Sequence, residues 1–100
     1  MTLSEFVDSL AIRNVFKNHG DKQVETKRNQ IAITKNDILK IPEIILNPDI
    51  VVKSEKTNSR GLAVIKYIKQ YQDKYYILEE VRSGVKAIAL NTMYIKKTLL

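Results

Sequence analysis

One hundred residues, 44% of them hydrophobic, suffice for one compact domain around one core and leave too little for a second. Seventeen Lys and Arg against eleven Asp and Glu give a formal charge of +6, which favours a polyanionic partner, nucleic acid or an anionic membrane surface, without choosing between them. The chain has no cysteine and one histidine, His19, which excludes a disulfide framework, a thiolate metal site and an ordinary zinc site.

Residues 3–19 carry helical spacing in two phases, Leu3, Phe6, Val7 and Leu10, then Ile12, Val15, Phe16 and His19, which predicts a helix with a bend or short break near Ala11. Gly20 stands where a helix C-terminal glycine belongs, leaving His19 in the last turn. The polar stretch DKQVETKRNQ, 21–30, has no clear period and reads as a surface loop or a frayed helical turn, with Lys27 and Arg28 adjacent. Gln30 to Ile33 reads as a short extended run. Thr34 is a good N-cap with Asp37 placed to favour the first turn; Pro42 opens a second helical segment and Pro48 closes it.

After Pro48 the pattern turns to β-branched and aromatic runs, which predict strands at 50–53, 62–70, 74–82 and 86–96. Gln72-Asp73 and Ser83-Gly84 read as two-residue hairpin loops, so the C-terminal half is expected to be an antiparallel meander. The expected fold is α+β in a single domain over 1–100, with N-terminal helices over 1–48 packed on a four-stranded antiparallel sheet over 49–97. No apolar run has the length of a membrane span, and the N-terminus lacks the basic start and apolar stretch of a signal peptide. The expectation is a soluble domain that acts in a reducing compartment, the cytoplasm, with no membrane partner.

The positive charge is concentrated. Residues 51–70 hold Lys53, Lys56, Arg60, Lys66 and Lys69 against Glu55 alone, while residues 1–20 are neutral. Together with Lys96 and Lys97, such a patch can neutralise phosphates. A solvated strand edge protected from aggregation by lysine would have the same composition.

The ordered series NHG (18–20), QIAITKNDILKIPEII (30–45), NPD (47–49), YYILEEVRSG (75–84) and ALNTMY (89–94) resembles the phage nuclease domains grouped with barnase, EndoU, colicin and RelE ribonucleases. The likeness runs from about Ile12 to Lys96. It implies an N-terminal helical part on a four-stranded antiparallel sheet, and cleavage of RNA, often tRNA, without metal or other cofactor. Such domains occur as toxins or effectors attached to larger phage or secreted proteins, and the expected partners are RNA and an immunity protein or antitoxin. The resemblance also implies that His19, Arg82 and Thr92 are active-site positions, with Tyr94 nearby. Lys27, Arg28, Arg60, Lys86 and Lys96 are the candidate RNA-binding cations. The chain departs from the expected pattern at Asn29, where a glycine is expected, and at Val85, where a basic residue is expected.

Metal-free RNA cleavage needs a base for the 2′-hydroxyl proton, an acid for the leaving 5′-oxygen and positive charge on the developing dianionic phosphate, and it leaves a 2′,3′-cyclic phosphate. Histidine suits either proton-transfer role because its ordinary pKa of about 6.5 lies near working pH. Arg82 can grip two phosphate oxygens, Thr92 can donate to the same phosphate, and Tyr94 can stack on a base. Glu79 or Glu80 is a candidate partner for the general acid–base step, and a role in simply neutralising Arg82 explains these carboxylates equally well.

Each of these residues also has a structural reading. His19 is stabilised at a helix C-terminus by the macrodipole, Arg82 before a turn is an ordinary surface cation, and Thr92 is a common strand residue. Tyr67, Tyr75, Tyr76 and Tyr94 suit a core equally well. A non-catalytic RNA-binding or protein-interaction module, or an antitoxin-like or structural phage protein, would therefore show much the same residues. Register separates the readings. A two-residue loop at Ser83-Gly84 puts Arg82 and Thr92 on opposite sheet faces, whereas a three-residue loop, or a bulge near Asn91, brings them together.

Overall fold

A computed structural model describes residues 9–57, 63–82 and 89–99. Helix α1 (Ser9–His19) runs without interruption through Ala11, where a break was expected. Gly20 ends it: its N–H donates to Phe16 O at 2.8 Å, and a Cβ there would lie 2.5 Å from that same oxygen, so no larger residue fits without movement. Of the two forms expected for the stretch after it, the structure takes the helical one and not the loop. Asp21 accepts from the N–H groups of Gln23 and Val24 and starts helix α2 (Lys22–Lys27), a single N-cap outweighing the lack of apolar period. Asn29, just past α2, has φ 59, the left-handed conformation that glycine and asparagine tolerate best, which accounts for asparagine at a position where glycine was expected.

Strand β1 (Gln30–Ile31) follows, then helix α3 (Lys35–Ile38), opened by a capping box in which Thr34 and Asp37 bond each other's backbone N–H. Helix α4 (Ile41–Leu46) carries Pro42 in its first turn, as expected. Strands β2 (Ile50–Thr57), β3 (Ala63–Tyr71), β4 (Lys74–Arg82) and β5 (Ala89–Lys96) complete one antiparallel sheet in the order β1-β5-β4-β3-β2. The sheet thus has five strands, not four, because Gln30 and Ile31 pair with Lys96 and Ile95. The loop Gln72-Asp73 closes Tyr71 onto Lys74, with the positive φ (58) at Gln72 that a tight hairpin requires.

The hydrophobic core lies on one face of the sheet, hereafter the inner face. Val15 of α1, Ile33, Ile38 of α3, and Ile41 and Ile44 of α4 pack there on Tyr67, Tyr76, Leu78, Met93 and Ile95. Buried carboxylates on this side are closed by tyrosines: Tyr76 Oη donates to Asp37, and Tyr67 Oη donates to Glu80. The outer face carries Lys66, Ile77, Glu79, Thr92, Tyr94 and Lys96. Among the described residues no helix is long and apolar enough to cross a membrane.

Candidate active site

His19 is positioned by three constraints that all arise from local sequence. The end of α1 at Gly20 sets its backbone, Ile33 N–H donates to its carbonyl at 2.8 Å, and its Nδ1 lies 3.0 Å from Glu25 Oε2. Glu25 is fully buried, and its other oxygen accepts from Arg28 Nη1 at 3.0 Å. A buried carboxylate requires such partners. With Nδ1 facing Glu25, the nitrogen left for proton transfer is Nε2. The His19 side chain is 14% exposed, so solvent reaches it only narrowly.

The His19 ring then meets Tyr94, with centroids 5.6 Å apart and planes tilted by 33°. Tyr94 Oη donates to Glu79, and burial first, then the Glu79 charge and this bond, push the phenol up to about 12. Tyr94 is therefore a proton-bearing donor at neutral pH. Lys66 Nζ approaches Glu79 Oε2 at 3.9 Å from β3. Thr92 pairs directly with Glu79 across the β4–β5 ladder. Its Oγ1 is buried without a hydrogen-bond partner among the described residues, which is costly unless something else supplies one. His19, Tyr94, Glu79, Lys66 and Thr92 thus form one continuous polar cluster around the β5 side of the outer face.

A bulge sets this arrangement. Glu79 pairs with Thr92, but Glu80 pairs with Leu90, so Asn91 is one residue in excess. The bulge turns Leu90 to the inner face beside Glu80 and keeps Thr92 and Tyr94 with Glu79 on the outer one. It falls where a bulge was considered from the sequence, yet it does not unite Thr92 with Arg82. Arg82 pairs with Ala63 at the end of β4, and its backbone position is in step with Leu78 and Glu80 and out of step with Glu79 and Thr92. Val81 pairs with Ala89, a register that neither a two-residue nor a three-residue loop would produce; Ser83 and Gly84 themselves lie outside the described residues.

The remaining candidates are dispersed. Lys96 occupies the outer face two positions beyond Tyr94, Lys27 is exposed on α2, and Arg28 is engaged with Glu25 and with Asn18 O at 2.7 Å. Arg60, Val85 and Lys86 lie outside the described residues. Glu25 and Lys66 were not singled out as site residues from sequence. For Glu25 a signal existed, a carboxylate six residues after the sole histidine across a glycine turn, but the polar stretch around it concealed the helix that buries it. Among the described residues no group of three or more His, Asp and Glu is placed to hold a metal ion.

A family model described as phage-Barnase-EndoU-ColicinE5/D-RelE like nuclease3 matches residues 5–99, nearly the whole chain. No curated protein and no solved structure matches the chain.

Proposed function

Since this chain belongs to that phage nuclease family, we propose that it is a metal-independent endoribonuclease in which Glu79 and His19 transfer the protons of RNA cleavage. Glu79 Oε takes the proton of a 2′-hydroxyl as the 2′-oxygen attacks phosphorus. His19 Nε2–H gives a proton to the 5′-oxygen as the P–O5′ bond breaks, leaving a 2′,3′-cyclic phosphate. Thr92, paired with Glu79 across the ladder, turns its Oγ1, buried in the free protein and without a hydrogen-bond partner among the described residues, onto a non-bridging phosphate oxygen when RNA binds. Lys66 neutralises charge developing on the phosphate, the place expected for Arg82. Tyr94 holds Glu79 by its hydrogen bond and packs beside the imidazole, so it keeps the two proton carriers in one geometry.

The observation that carries this reading is the His19–Glu25 pair. A fully buried carboxylate fixes the imidazole through Nδ1 and leaves its other nitrogen for chemistry beside a second carboxylate system. Glu25 is a positioning residue in this scheme and touches no substrate. The +6 charge, with Lys66 and Lys96 on the same sheet face as the cluster, suits a polyanionic chain, and tRNA is the substrate we assign. The setting we assign is a toxin or phage effector acting in the cytoplasm and restrained by an immunity protein or antitoxin.

Incubation with total tRNA in EDTA, followed by end-group analysis, tests the reaction. Cyclic phosphate ends are expected from the wild type and about 10²–10⁴-fold fewer from His19→Ala, whose tRNA binding remains. Binding without cleavage by the wild type would instead indicate a non-catalytic RNA-binding module.

A further inference from the structure

Strand β2 closes the sheet opposite β1, and its outer side pairs with no strand among the described residues. Edge strands are usually short or protected. This one presents Ile50, Val51 and Val52, exposed by 44%, 54% and 43%, in succession, with Leu46 of α4 60% exposed close by in the chain. Three consecutive apolar residues at a free edge expose a row of backbone donors and acceptors together with apolar surface on both sheet faces.

The residues that flank them indicate the occupant. Asp49, just before β2 and with one carboxylate oxygen accepting from Gln70 N–H at 2.8 Å, and Lys53 within the strand, both exposed, bracket the apolar triplet symmetrically about Val51. If a second copy adds its own β2 antiparallel, with Val51 opposite Val51 on the two-fold axis, Ile50 meets Val52 and Asp49 meets Lys53 at both ends. Opposite charges directly across a ladder stabilise it, whereas registers that oppose Lys53 to Lys53 or Asp49 to Asp49 are penalised. The segment DIVVK is thus self-complementary in charge and in apolar content only when paired with itself in this register. We propose that β2 is a homodimer edge, through which two copies join their five-stranded sheets into one continuous sheet.

The chain has no cysteine, which makes the test direct. In the proposed register the two Val51 Cα atoms stand about 4.5–5.5 Å apart, within the range a disulfide spans. Val51→Cys is therefore expected to oxidise to a covalent dimer, while Val52→Cys, whose two copies are offset along the strands, forms at least several-fold less. In sedimentation velocity of the uncrosslinked chain, the wild type is expected to show a concentration-dependent dimer. Lys53→Asp should shift it to monomer, and Asp49→Lys combined with Lys53→Asp should restore the dimer. A wild type that stays monomeric at its solubility limit overturns the proposal. So does equal crosslinking at positions 51 and 52, or failure of the charge swap to restore a dimer that Lys53→Asp had broken.

Discussion

Glu79 and Glu80 are chain neighbours with opposite surroundings, and the contrast separates what stabilises this fold from what equips it for chemistry. Glu80 points inward, is 2% exposed, and accepts from Tyr67 within the core. Asp37 is treated alike by Tyr76. Glu79 points outward, accepts from Tyr94, faces Lys66 and pairs across the ladder with a threonine whose buried hydroxyl has no partner among the described residues. Both carboxylates bond a tyrosine. The inner pair is enclosed in packed apolar side chains, whereas the outer pair adjoins a histidine held by a second carboxylate. Carboxylate–tyrosine pairing is therefore not in itself a sign of function here; the neighbours of the pair are.

The most forceful way to break this comparison is to remove each carboxylate in turn. Glu79→Gln is expected to lower RNA cleavage by about 10²–10⁴-fold with little change in urea midpoint. Glu80→Gln should cost about 1–3 kcal/mol of stability, by urea unfolding, because it weakens a buried charged hydrogen bond. If Glu80→Gln abolished cleavage in a protein still folded, the division between the faces would be wrong.

The tyrosines sharpen the comparison through pH. Tyr94 is pushed up to about 12, and Tyr76 and Tyr71 are also raised, by burial first and then by Asp37 and Glu43 respectively. An unfolded chain loses phenolic protons near pH 10, at about the ordinary value, where the folded chain still holds them. Stability from these groups is therefore complete below about pH 10 and declines as pH rises towards 12. Urea midpoints measured from pH 8 upward should fall over that window, and Tyr94→Phe should make the fall shallower.

The smallest effect belongs to the end of the sheet distant from the chemistry. Gln72 has φ 58, a conformation glycine adopts without penalty. Gln72→Gly is expected to stabilise by about 0.5–1 kcal/mol in urea unfolding and to leave cleavage unchanged.

Much of this architecture could be read from the residues because the signals were local. Thr34 with Asp37, Pro42, Gly20 and the Gln72-Asp73 turn each act within a few residues, and each appears where expected. Strand β1 was visible only as an extended run, since two residues cannot announce a partner 66 positions away, as Lys96 is from Gln30. The site was partly legible. His19 stood out as the chain's one histidine, and Thr92 and Tyr94 through the family resemblance. Which of Glu79 and Glu80 would join them depended on the Asn91 bulge, a register property with no local mark. Glu25 was obscured by polar neighbours that make α2 look solvated while one of its residues is entirely buried.

Cleavage of a short RNA with sulfur in place of the 5′-bridging oxygen at the scissile phosphate tests the central claim most directly, that Glu79 and His19 are the base and the acid on one face. A thiolate leaves without being protonated, so this substrate needs the base and not the acid. It is expected to restore most of the cleavage lost in His19→Ala and to leave Glu79→Gln as impaired as on ordinary RNA. Equal rescue of both variants, or rescue of neither, would contradict the assignment.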